Sequence, residues 1–174
     1  NVLSIKIIGH RGNGITFSSP DSKSKAHENT IPAFRQAFEQ GADGVEIDVF
    51  LTQDKVPIVY GDKEIDGFPI NQLSLKDIKK VKLPGDTEIP TLQESLEELS
   101  KITAQARGGD FFINIDLKGD SVTELTLKVL DPFLESGALS SDNILFSSFD
   151  WDKLTAAREI KPESKIQATI ATVH

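Results

Sequence analysis

Short apolar runs alternate along the chain with stretches whose apolar residues recur every three or four positions. This is the pattern of βα units around a largely parallel sheet. Residues 5–9, 45–50, 56–60, 111–117, 143–147 and 165–170 read as strands. The helices carry start signals. Asn29-Thr30-Ile31-Pro32 puts a capping residue and a first-turn proline ahead of Phe34, Ala37 and Phe38, and Gly41 supplies a stop. Thr91-Leu92-Gln93-Glu94 resembles a capping box with Leu92, Leu96 and Leu99 behind it. Ser121 with Glu124, before Leu125, Val129 and Leu130, reads the same way. A short helix is expected over 73–78 and another over 150–160, with Trp151 packing at the start of the latter.

Only five residues separate Phe50 from Val56, too few for a crossover helix, so the second and third strands are expected to form a hairpin. Centred on Asp54, it would set Tyr60 opposite Asp48. Residues 12–25 and 83–87 read as loops. Six strands with interleaved helices match most of a TIM (β/α)8 barrel, an α/β fold that normally needs about 250 residues. A single barrel domain over residues 1–174, cut short at its C-terminus with about six of eight strands present, is therefore expected. An open doubly wound sheet is the alternative. Against it, Gly9-His10-Arg11-Gly12-Asn13-Gly14 lacks the Gly-x-Gly-x-x-Gly spacing after the first strand.

Charge narrows the partners: 27 acidic against 19 basic residues give a net charge of −8, which argues against nucleic acid and anionic lipid. With no cysteine, a metal site must use carboxylate, histidine or carbonyl ligands. No apolar run approaches the length of a membrane span, so membrane association is not indicated.

Candidate chemistry gathers at strand ends, where barrel active sites lie. His10-Arg11 follows the first strand and reads equally as loop polarity or as a proton-transfer group beside a fixed cation. Glu46 and Asp48 share one strand face, with Val45, Ile47 and Val49 on the other; Asn114, Asp116 and Lys118 repeat that arrangement. Three carboxylates aimed into a barrel are unfavourable unless paired or metal-bound, and an all-oxygen set suits Mg²⁺ or Ca²⁺. His27 reads as exposed helix-end polarity, and the lysines at 76, 79, 80 and 82 as a solvated helix face.

Together, Ile8-Gly9-His10-Arg11-Gly12, Glu28-Asn29-Thr30-Ile31-Pro32-Ala33-Phe34, Gly41-Ala42-Asp43-Gly44-Val45-Glu46-Ile47-Asp48-Val49, Asn114-Ile115-Asp116-Leu117-Lys118 and Ser147-Ser148-Phe149-Asp150 resemble the glycerophosphodiester phosphodiesterase family over nearly the whole chain. The resemblance implies a TIM barrel with a small insertion, a divalent cation, and hydrolysis of glycerophosphodiesters to sn-glycerol 3-phosphate and an alcohol. It assigns acid/base chemistry to His10, phosphate binding to Arg11 and Lys118, and metal ligation to Glu46, Asp48 and Asp116. Asp116 stands where the family usually has Glu.

Two departures stand out. The family's second histidine should follow Val59-Tyr60, and that position is Gly61; the last two barrel strands have no counterpart after Val173-His174. The first leaves open a weakened enzyme or a non-catalytic glycerophosphodiester-binding homologue. Activity on intact lipids is disfavoured, because Ile15 and Phe17 are the only large apolar residues in the loop over 12–25.

Overall fold

The structure, a computed structural model, describes residues 8–9, 28–163 and 165–168. Its main sheet has six strands. Five run parallel in the order β1 (Ile8–Gly9), β2 (Gly44–Leu51), then the later strands Phe112–Leu117, Ile144–Ser148 and Lys165–Ala168. The sixth, β3 (Pro57–Val59), runs antiparallel to β2, as its short connection requires. Val49 pairs with Val59, and the Tyr60 N–H donates to the Asp48 carbonyl at 3.1 Å, so the hairpin centres on Asp54 as expected.

Residues 60–90 form an insertion with a core of its own. Two small hairpins, β4 (Glu64–Ile65) with β5 (Phe68–Pro69) and β6 (Lys82–Leu83) with β7 (Thr87–Glu88), flank the short helix α2 (Leu75–Ile78). Their turns use Asp66-Gly67, a two-residue loop with both residues at positive φ, and Pro84-Gly85-Asp86, a three-residue loop whose last two residues are at positive φ. The expected loop over 83–87 is thus a hairpin. Ile65, Ile70, Ile78, Leu83 and Ile89 close on Ile58 of β3.

Beyond the insertion the chain resumes its βα alternation. Helices α1 (Ile31–Glu39), α3 (Leu92–Gln105), α4 (Val122–Glu135) and α5 (Trp151–Ile160) alternate with strands β8 (Phe112–Leu117), β9 (Ile144–Ser148) and β10 (Lys165–Ala168). The helices pack on the face carrying Val45, Ile47, Val49, Ile113 and Ile115, all fully buried. Gly41, at φ 85°, follows the C-cap of α1 and turns the chain back toward β2. At Gly44 a Cβ would lie 2.3 Å from the Phe112 carbonyl oxygen, so β2 and β8 meet at a distance only glycine permits. Among the described residues, no helix is long and apolar enough to cross a membrane.

Several expectations are corrected. Ser121 precedes α4 in a left-handed conformation, φ 54°, and makes no capping hydrogen bond. The turn off β8 is set instead by Lys118 and Gly119, whose N–H groups both donate to the Val49 carbonyl. On α4 the core face is Val122, Thr126, Leu127, Leu130 and Phe133, with Leu125 and Val129 only partly buried. Thr91 does cap α3, accepting from Glu94 N–H, but the Glu94 carboxylate turns to Lys79 at 2.9 Å instead of closing a box. Trp151 is 66% exposed, because burial of α5 begins one turn in, at Leu154.

Asp54 ties the β2–β3 turn to the insertion: its Oδ1 accepts from Thr52 Oγ1 at 2.6 Å and from the Leu75 N–H at 2.9 Å. These bonds, Thr52 first, hold its carboxyl below the ordinary value. A lowered folded-state pKa stabilises the protein above the ordinary carboxylate range and stops doing so as pH falls through the lowered value. Asp54→Ala is accordingly expected to reduce unfolding free energy by about 1 kcal/mol at pH 7. The difference from wild type should shrink in denaturant titrations at about pH 3.

Candidate metal and phosphate site

Strand register brings the acids together. Glu46 pairs with Asn114 and Asp48 with Asp116 across β2 and β8, and paired residues share a face. One carboxylate oxygen from each of Glu46, Asp48 and Asp116 lies within 4.8 Å of the other two. Asp48 and Asp116 are buried and Glu46 is half-buried. Such a cluster of negative charge in a low-dielectric interior calls for a counter-charge.

The neighbouring groups divide that task. Asn114 donates through Nδ2 to Glu46 at 3.2 Å, and Lys118 Nζ pairs with Asp116 Oδ2 at 2.9 Å. Lys118 is also held over the Phe149 ring, 5.0 Å from its centroid, a cation–π contact that keeps the ammonium at the barrel rim. Oxygen atoms are left over: Asn114 Oδ1 and Ser147 Oγ are buried without a hydrogen-bond partner, and Ser147 lies beside Asp116 in the β8–β9 register. An all-oxygen donor set with spare oxygens fits a hard divalent cation. The three residues available to hold it are Glu46, Asp48 and Asp116.

Asn29 is a residue that sequence reasoning placed only as part of a helix start. It is 1% exposed, at φ 56°, and grips Asp48 twice. Its Nδ2 donates to Asp48 Oδ2 at 3.0 Å and its Oδ1 accepts from the Asp48 N–H at 3.2 Å. Asparagine tolerates the left-handed region better than most residues, a signal for this turn that the sequence does carry. Thr30, next to it, caps α1 through Oγ1 and Ala33 N–H, so one turn both starts the helix and sets the carboxylate.

Of the remaining expected site residues, Lys118 lies beside the cluster, whereas His10, Arg11, His27 and His174 fall outside the described residues. Strand β1 ends at Gly9, paired with Val45 next to Glu46. Position 61 lies in a bend one residue past the Tyr60–Asp48 backbone bond, so the glycine stands beside the strand that carries two of the acids. Burial first, then the carboxylates of Asp62, Asp66 and Glu28, push the Tyr60 phenol above its ordinary pKa and keep it a neutral donor. The lysines expected on one helix face do not share one: Lys76 lies in α2, Lys79 is its C-cap, Lys80 is in the turn after it and Lys82 is on β6, and the last three are ion-paired, Lys79 with Glu94, Lys80 with Asp77 and Lys82 with Glu88.

Residues 10–174 match the glycerophosphoryl diester phosphodiesterase family. A glycerophosphodiester phosphodiesterase from Caldanaerobacter subterraneus is 32% identical over 181 residues, spanning 92% of this chain and 64% of the relative. Among solved structures, a glycerophosphodiester phosphodiesterase from Parabacteroides distasonis superposes with a TM-score of 0.77 at 25% identity, over 94% of this chain and 64% of that one. A phosphodiesterase from Oleispira antarctica, in complex with the product sn-glycerol-3-phosphate, gives a TM-score of 0.75 at 26% identity, over 97% and 67%. The chain thus spans about two thirds of the length of these proteins, and its fold is that of their TIM barrels.

The Asn29 grip is separable from its backbone. Asn29→Gly, which keeps the left-handed turn and removes both hydrogen bonds, should lower stability by about 1–3 kcal/mol. Asn29→Ala should lower it by roughly 1 kcal/mol more, because alanine resists that φ. Urea unfolding of the two variants reads the difference.

Proposed function

Because the chain belongs to the glycerophosphoryl diester phosphodiesterase family, we propose that the protein hydrolyses glycerophosphodiesters to sn-glycerol 3-phosphate and an alcohol, with a divalent cation, Mg²⁺ or Ca²⁺, as cofactor. The observation that carries this reading is the convergence of Glu46, Asp48 and Asp116 beside Lys118 at one point in the barrel. The product bound in the Oleispira antarctica relative supports the substrate class.

The net reaction forms one P–O bond and breaks another. A water molecule surrenders a proton to a base as its oxygen bonds to phosphorus, the P–O bond to the alcohol breaks, and the departing alkoxide takes up a proton. Glu46, Asp48 and Asp116 would hold the cation, which would supply positive charge to the substrate phosphate when bound. Lys118 adds a second positive charge at the rim, steadied between Asp116 and Phe149. Arg11 binds the phosphate, and His10 serves one of the two proton transfers.

No imidazole stands at position 61 to serve the other proton transfer, which stays unassigned. A specific observation favours a second reading, a slow or non-catalytic glycerophosphodiester-binding homologue: position 61 follows the residue bonded to the Asp48 backbone, beside the strand that carries Glu46 and Asp48, and it is occupied by glycine. Loss of a general acid or base lowers rates by about 10²–10⁴-fold.

Release of glycerol 3-phosphate from glycerophosphodiesters should require the divalent cation, stop on chelation and fall at least about 10²-fold in Glu46→Ala. Turnover indifferent to both overturns the proposal. Gly61→His should raise kcat by about 10²-fold or more. Tight binding without turnover in the wild type, together with turnover in that variant, would identify the binding homologue.

A further inference from the structure

A cavity of about 400 Å³ opens between the insertion and the barrel rim, within the size range of small-molecule sites. Its position relative to the acidic cluster follows from strand geometry. Phe50 lies two residues beyond Asp48 on the same face of β2, and Lys118 lies two residues beyond Asp116, just past the end of β8, and both line the cavity. Two residues of strand rise about 7 Å, so the cavity begins one step outward from the carboxylates. Lys118 joins the two, since its side chain lines the cavity while its Nζ pairs with Asp116. A phosphodiester whose phosphate meets the cluster and Lys118 has this space directly ahead of one of its two substituents.

We propose that this cavity is the subsite for the alcohol substituent and that it takes a polyhydroxylated alcohol in preference to a quaternary ammonium one. The proposal rests on the hydrolase reading above and adds the substrate class. The more buried lining is apolar, Phe50 with Ile70, and the exposed lining carries both donors and acceptors: the ammonium groups of Lys55 and Lys63 and the carboxylates of Glu64 and Asp120. None of these four side chains makes an ion pair or hydrogen bond with another described side chain. A hydroxyl both donates and accepts, so neighbouring hydroxyls on a polyol can engage both kinds of group. A quaternary ammonium has no N–H to donate and is bound best among aromatic faces. Phe50 supplies the only aromatic ring among the described lining residues, so the cavity offers a quaternary ammonium no aromatic cage.

The test is equilibrium binding, which does not need turnover. The His10→Ala variant of the full-length protein, in which the diesters are not consumed during the measurement, is titrated calorimetrically, in Mg²⁺ or Ca²⁺, with glycerophosphoglycerol, with glycerophosphocholine and with glycerol 3-phosphate. Glycerophosphoglycerol is expected to bind at least about 10-fold more tightly than glycerophosphocholine. Replacing both Lys63→Ala and Glu64→Ala, exposed side chains whose loss should leave the melting temperature unchanged, is expected to bring that ratio close to one. Equal affinities, tighter binding of the choline diester, or a ratio that the two added substitutions leave unchanged overturns the subsite and leaves the hydrolase reading standing. Failure of glycerol 3-phosphate to bind overturns the hydrolase reading and the subsite with it.

Discussion

The register that sets Asp48 beside Asp116 puts two buried carboxylates on neighbouring strands, with Glu46 one pleat away. Much of the surrounding polar structure answers that repulsion. Asn114 donates to one acid, Lys118 to another, and Asn29 reaches from the start of α1 to orient the third. Replacing any of these with an apolar residue would leave a buried charge short of a partner, which is far more destabilising than losing a surface contact. The divalent cation fits as the largest single answer to the same problem.

The helix layer and the acidic face are two sides of one alternating pattern. On β2 and β8 every second residue is a Val, Ile or Leu facing the helices, while the polar residues between them face inward. The close approach at Gly44 fixes how the two strands meet, and so which acids become neighbours. A one-residue slip would exchange the two faces. The apolar core therefore stabilises the fold and also enforces the geometry of the charged cluster.

Strong alternation made the strands, their parallel order and the acidic trio legible in the sequence. The β2–β3 hairpin followed from arithmetic, because five residues leave few ways to reverse a chain, and the Tyr60–Asp48 bond fell where that arithmetic put it. What escaped was local or long-range. The insertion's hairpins have two-residue strands too short for periodicity, although Asp66-Gly67 and Gly85-Asp86 carried the turn signal. Ser121 looked like a cap, but the pull of Val49 on the turn before it set a different backbone. Asn29 escaped because its partner lies 19 residues away, and nothing local distinguishes an asparagine that caps a helix from one that grips a carboxylate.

The insertion is stitched to the barrel at the β2–β3 turn, where Asp54 accepts from the Leu75 N–H and the Gln53 N–H donates to the Leu73 carbonyl, and at the Lys79–Glu94 ion pair on α3, while its small core closes on Ile58 of β3. It is built like a cartridge. Its far side can change sequence, length or charge while the strands beneath, and the acids they carry, keep their register. Diversification in this fold thus has a modular route, with new chemistry of recognition grafted onto the insertion and the apparatus for phosphorus left untouched below.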